Sequence, residues 1–140
     1  MATVTEQHDY RSTPEALWTV VGSPDALSDW HPAIAASPVS DGVRRTTLVG
    51  GGELVELIVE HSDEDRFYVY DITEGPFPMR SYRSRIAVEA ADGGSRIVWR
   101  ADFEPDDPAS EQQMMETFAG IYRAGLEAVQ DRLQGETGSM

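Results

Sequence analysis

Between Val39 and Glu104 apolar and polar residues alternate with a period of two, the mark of half-buried strands. The alternation predicts strands at Arg44–Leu48, Glu53–His61, Arg66–Glu74, Arg80–Ala90 and Ser95–Glu104. Gly50-Gly51-Gly52, Ser62-Asp63-Glu64-Asp65, Gly75-Pro76 and Asp92-Gly93-Gly94 separate them as turns. Connections this short join antiparallel neighbours. In the fourth strand Tyr82, Ser84, Ile86 and Val88 oppose Arg83, Arg85 and Glu89, and in the fifth Ile97, Trp99, Ala101 and Phe103 oppose Arg96, Arg100 and Asp102. The sheet therefore has one dry face and one wet face.

Before the strands the chain reads differently. An opening strand at about Thr3–Tyr10 leads into Thr13-Pro14-Glu15-Ala16-Leu17 and Ser23-Pro24-Asp25-Ala26-Leu27. Each pentad combines a hydroxyl N-cap, a proline at the first helical position and a carboxylate in the first turn, so each starts a short helix. The first ends near Gly22 and the second before Pro32. After the strands, Ser110 and Gln113 have capping-box spacing ahead of a long helix. Met114, Phe118, Ile121, Gly125 and Val129 form one stripe along it, and Met115, Ala119, Tyr122, Leu126 and Leu133 a second. An apolar face this broad suits a helix lying in the hollow of a curved sheet. A single domain over residues 1–134 is expected, with a flexible tail at 135–140.

The fold class expected is α+β: an antiparallel sheet of about six to seven strands around a long C-terminal helix, with two short helices after the first strand. Pro14-Glu15-Ala16-Leu17-Trp18, Trp30-His31-Pro32-Ala33-Ile34, Val55-Glu56, Glu74-Gly75-Pro76 and Gly120-Ile121-Tyr122 sharpen the likeness this order carries. The chain resembles the helix-grip proteins of the START and polyketide cyclase/dehydrase superfamily, SRPBCC, over about residues 3–133. The resemblance implies a cavity between sheet and C-terminal helix that takes a hydrophobic or amphipathic small molecule. That cavity serves either cyclase/dehydrase acid–base chemistry or a non-catalytic carrier, sensor or interaction module, since fold alone does not select a reaction.

Composition narrows the partners. The chain has 140 residues, 11 basic (all Arg) against 25 acidic, for a net charge of −14. A surface this negative repels phosphate backbones and anionic lipid, so neither nucleic acid nor membrane is an expected partner. No apolar run is long enough to span a bilayer and no secretory leader is visible, which makes the cytoplasm the expected location. The chain is expected to be a monomer or a homodimer. It has no Cys. His8, His31 and His61 have no metal-ligand spacing and Gly50-Gly51-Gly52 lacks a phosphate-loop lysine, so no metal or cofactor is expected.

Several residues carry candidate chemistry. If Leu54 and Ile58 point inward, Glu56 does too; Tyr68, Tyr70 and Ile72 likewise carry Glu74 inward. A carboxylate in an apolar pocket pairs with a cation or has its pKa raised, and Arg45 is the partner expected for Glu56. A structural ion pair at the sheet edge is the alternative, and a one-residue slip would reverse every face. His31 is a candidate general base, though a histidine before proline is more often structural. Trp30, Tyr70, Tyr82, Trp99, Phe103, Phe118 and Tyr122 are candidates for the cavity wall, with the inward tyrosines best placed to meet a polar ligand group.

Overall fold

A computed structural model of the chain describes the backbone of residues 1–138 and the side chains of residues 1–134. Strand β1 (Ala2–Tyr10) leads into helix α1 (Pro14–Val21), a 3-10 turn at Pro24–Ala26 and the single-turn helix α2 (Leu27–Trp30). The strands β2 (Ile34–Ala36), β3 (Val39–Ser40), β4 (Val43–Leu48), β5 (Glu53–Ser62), β6 (Phe67–Glu74), β7 (Met79–Ala91) and β8 (Gly94–Pro105) follow. Helix α3 (Glu111–Gly138) closes the chain. Its backbone stays helical into the stretch 135–140 expected as a tail, of which residues 139–140 lie outside the described residues.

One antiparallel sheet runs β1-β8-β7-β6-β5-β4-β2, with β3 attached to β4. The two shortest strands, β2 and β3, are too brief to show alternation in the sequence. The turn between β3 and β4 uses Asp41 and Gly42, both at positive φ, as a tight hairpin requires. Gly50, Gly51 and Gly52 all adopt positive φ between β4 and β5, where any side chain would be strained.

The inner face of the sheet and α3 share the core. Tyr68, Ile86, Ile97, Ala101 and Phe103 from the strands meet Phe118, Tyr122, Leu126 and Val129 from the helix, all buried. The two stripes expected on α3 are the ones it buries. The start of α3 is capped differently from expectation: Asp107 accepts from the Ala109 N–H, while Ser110 donates to the Asp107 carbonyl at 2.7 Å. A 3-10 turn at Pro108–Ser110 therefore sets the entrance angle, and the Ser110–Gln113 capping box does not form.

Helix α3 is tied down at two points. The Tyr10 hydroxyl donates to the Leu126 carbonyl at 2.7 Å, and His31 Nε2 donates to the Ile121 carbonyl at 2.8 Å. The second tie depends on Gly125. A Cβ there would sit 2.5 Å from His31 Cδ2 and 2.9 Å from Nε2. Glycine in a helix interior costs about 1 kcal/mol relative to alanine, so this position sacrifices helix stability for close approach. Gly125→Ala is expected to lower stability by about 1–3 kcal/mol despite its better propensity, because overpacking outweighs the gain. Urea denaturation checks the sign.

Candidate functional site

The wall of the sheet that faces α3 encloses a cavity of about 50 Å³. Leu27, Ile34, Leu48, Leu54, Ile72, Phe77, Phe118 and Ile121 line it together with His31, Thr46, Glu56, Tyr70, Tyr82, Trp99 and Tyr122, and the surface they present to it is almost wholly apolar. Of the expected wall residues, Tyr70, Tyr82, Trp99, Phe118 and Tyr122 take that place. Phe103 lies behind them, packed edge-on against Phe118 with ring centroids 5.2 Å apart. Trp30 is core: its ring lies 5.7 Å from that of Trp99, and its Nε1 is buried without a hydrogen-bond partner among the described residues.

Glu56 points inward, but its partner is Arg44 and not Arg45. Arg44 and Glu56 face each other across β4 and β5, and Arg44 Nε donates to Glu56 Oε1 at 2.8 Å. The Arg44 side chain is 0% exposed. Arg45 lies on the wet face, 63% exposed, and pairs with Glu53 at 3.3 Å. The doublets Arg44-Arg45 and Thr46-Thr47 look the same to a period-two count, so alternation alone cannot choose the inward set. The hairpin register does choose. Counting back through the glycine turn, Thr47 opposes Glu53 and Arg44 opposes Glu56.

Arg44 gathers four elements. Its Nη1 donates to the Pro24 carbonyl at 2.9 Å and to the Tyr68 hydroxyl at 3.1 Å, and its guanidinium lies 4.7 Å from the centre of the Tyr70 ring. Burial works against the cation, but the Tyr68 phenol and the Glu56 carboxylate outweigh it and raise the Arg44 pKa. Arg44 Nη2 is buried and has no partner among the described residues. Thr46 also donates to Glu56 Oε1, so both of the hydrogen bonds that Glu56 accepts fall on one oxygen.

A second polar chain crosses the cavity floor. Ser84 donates to the Arg100 carbonyl at 2.9 Å, and Trp99 Nε1 approaches both Ser84 Oγ at 3.1 Å and Tyr70 Oη at 3.2 Å. Tyr70 continues to Tyr82 at 3.4 Å, and Tyr82 to Tyr122. Tyr122 stacks on Trp99 with centroids 4.4 Å apart. Burial pushes the Tyr70 hydroxyl up to about 12 and holds Tyr82 and Tyr122 well above the ordinary phenol value. These hydroxyls are neutral donors and acceptors, not bases.

Of the other two acid–base candidates, Glu74 lies away from the cavity and His31 lines it. Glu74 is exposed, because β6 carries an extra residue opposite Val55–Glu56 and the alternation breaks there. His31 is buried with both ring nitrogens committed. Nε2–H donates to the Ile121 carbonyl, and Nδ1 accepts from the Ala33 N–H at 3.1 Å. Burial lowers its pKa, against the opposing pull of Ile121. It is a neutral clamp between α2 and α3.

An antiparallel sheet gripping one long helix over an internal cavity defines the helix-grip class of the SRPBCC superfamily. The chain belongs to the family described as polyketide cyclase/dehydrase and lipid transport, which matches residues 1–134. Among solved structures, it is similar to the protein XoxI from Bacillus cereus. The two share 32% identity over 94% of this chain and 95% of that one, with a TM-score of 0.88. A START superfamily protein from Mycobacterium smegmatis matches at 12% identity over 95% and 97% of the two chains, with a TM-score of 0.77. The ginseng major latex-like protein 151 from Panax ginseng matches at 15% over 94% and 96%, with a TM-score of 0.78. The last two show the fold alone. Comparison with curated proteins gave no match. Among the described residues no helix is long and apolar enough to cross a membrane.

Two predictions follow from this geometry. Removing one member of a buried pair strands the other charge, which costs about 3–5 kcal/mol. Arg44→Met and Glu56→Gln should each destabilise the fold on that scale, and the double variant should be more stable than either. Arg45→Ala should stay within about 1 kcal/mol, as exposed pairs do. Denaturant titration of the four variants measures the coupling.

The other prediction concerns acid. Because His31 is held neutral in the folded chain, the unfolded chain takes up its proton first, near pH 6.5. Stability contributed by His31 is therefore full above that pH and is lost as pH falls toward the lowered folded value, with a slope of up to about 1.4 kcal/mol per pH unit. His31→Asn should flatten the stability profile over that interval, read by urea midpoints at stepped pH.

Proposed function

We propose that this chain binds one small amphipathic molecule in the cavity between the sheet and α3, with Glu56 as its polar anchor. The observation that carries this reading is a buried charged pair, Arg44–Glu56, whose carboxylate member lines an otherwise largely apolar chamber. Apolar pockets with a few convergent polar groups are the ordinary form of a ligand site. Replacing such a pair with packed apolar side chains is often neutral or stabilising, so a stability role alone gives it little reason to be there.

Binding, rather than cyclase or dehydrase turnover, is the reading the side chains favour. Acid–base chemistry needs a donor and an acceptor free to exchange protons with the substrate. Glu74 faces solvent and His31 is spent on two backbone groups, which leaves Glu56 as the one carboxylate lining the cavity among the described residues. A net charge of −14 argues against nucleic acid or an anionic bilayer as the partner. A cytoplasmic carrier or sensor fits these features.

The test is direct. Native mass spectrometry of the purified protein should reveal a retained small molecule. Titration with 1-anilinonaphthalene-8-sulfonate should quench or shift tryptophan fluorescence with one-to-one stoichiometry, since Trp99 lines the chamber. A protein that purifies empty and shows no saturable response to this dye, decanoic acid or phenol would overturn the proposal.

A further inference from the structure

The sheet is not continuous along its whole length. The pairing of β6 with β7 ends at Asp71 and Arg83, where the guanidinium grips the carboxylate with bonds of 2.7 and 2.9 Å. Beyond that point β6 follows β5 to Glu74, while β7 follows β8 back to Met79. The two strands part, and the split opens as a surface groove lined by Ile72, Thr73, Met79, Ser81 and Tyr82. Ile72 and Tyr82 also line the internal cavity.

Phe77 stands at the foot of this split, in the loop that joins the parted strands. Prolines at 76 and 78 flank it. Its ring meets Phe118 edge-on with centroids 5.1 Å apart, and Phe118 in turn packs on Tyr82 at 5.2 Å. Phe77 lines both the internal cavity and a cleft open to solvent. Ile72 lines both as well, so these two side chains together separate cavity from cleft.

Volume decides what can bind. A cavity of about 50 Å³ has room for a few waters at about 10–15 Å³ each, whereas a dry engineered cavity of about 150 Å³ accepts benzene. A ligand larger than water therefore has to displace part of the wall, and only differential affinity for the opened state can sustain that change. Withdrawing Phe77 frees the volume of one aromatic ring, and the ring that leaves vacates contacts with another aromatic ring. The polar end of the chamber sets the rest. Tyr70, Tyr82 and Tyr122 are engaged with one another, whereas the Glu56 carboxylate can only accept.

Building on the proposed binding role, we infer that Phe77 is a built-in plug occupying the ring position of the ligand, and that the ligand is a single aromatic ring bearing a hydrogen-bond donor. The ring replaces Phe77 against Phe118, and the donor reaches the Glu56 carboxylate. Access is through the split between β6 and β7.

Phenol and toluene test this because they share a shape and differ in the donor. In the wild-type protein, a phenol titration followed by NMR should shift the Phe77 ring and the backbone amides around it together with the Trp99 indole. Phe77→Ala should bind phenol about tenfold more tightly, since the cost of expelling the plug is gone. In that variant phenol should exceed toluene by at least about tenfold, the worth of one hydrogen bond to a charged acceptor. If Phe77→Ala does not fold, Phe77→Leu and the wild-type titration carry the same comparison.

Saturation of the wild type by phenol with the Phe77 signals unmoved would overturn the plug. Equal binding of phenol and toluene would overturn the donor requirement. In both cases occupancy of the cavity, and so the broader proposal, would stand. Failure of phenol, toluene and the anionic dye in every variant would instead remove the binding role itself.

Discussion

A guanidinium with no access to water needs opposite charge and acceptors close by, and the fold around Arg44 supplies them from three other elements. Glu56 comes from β5, Tyr68 and Tyr70 from β6, and the Pro24 carbonyl from the turn that precedes α2. Desolvating both ions costs several kcal/mol each, and only good geometry recovers it. That demand fixes the register of β4 against β5 and brings the helical segment down onto the sheet. The cavity lies where these elements converge.

The tyrosine chain adjoins this cluster at Tyr70. Tyr70, Tyr82 and Tyr122 come from β6, β7 and α3, so their hydroxyl contacts bind the helix to the sheet where apolar packing alone would leave polar groups unpaired. Trp99 joins the same chain through its indole nitrogen while stacking on Tyr122. These groups are satisfied by one another. Glu56 differs, because its accepted bonds crowd onto Oε1. The distinction between a closed polar network and an unsaturated acceptor is what makes Glu56, and not the tyrosines, the anchor of the proposed site.

Rigidity is unevenly spread around the chamber. At one end His31 and Gly125 interlock, with the imidazole bonded to backbone on both sides. At the other, β6 and β7 separate and a short loop carrying Phe77 covers the gap. Fewer ladder hydrogen bonds and more solvent contact place this loop among the parts of the fold that open most readily. The helix anchor therefore sits at one end of the chamber and the mid-sheet parting of β6 and β7 at the other.

Period-two alternation from Val39 onward, the Thr13-Pro14 and Ser23-Pro24 helix starts and the two apolar stripes of α3 determined the main elements, because each depends on local spacing, although the Ser23 hydroxyl turns to Asp25 and caps nothing. The inward direction of Glu56 was conditional on the face chosen, because Val55, Leu57 and Val59 are as apolar as the opposite set. The identity of its partner was not legible, since Arg44-Arg45 alternates equally well in either phase and only cross-strand register through Gly50–Gly52 separates them. Glu74 moved to solvent because a bulge shifts one strand against its neighbour, an event that leaves no mark in composition. His31 was open to a general-base or a structural reading until the fold brought Ile121 and Ala33 to its two nitrogens. The role of Phe77 depends on where two strands part. Local pattern records which residues share a face; which groups meet, and which remain open to a ligand, was decided by packing at long range.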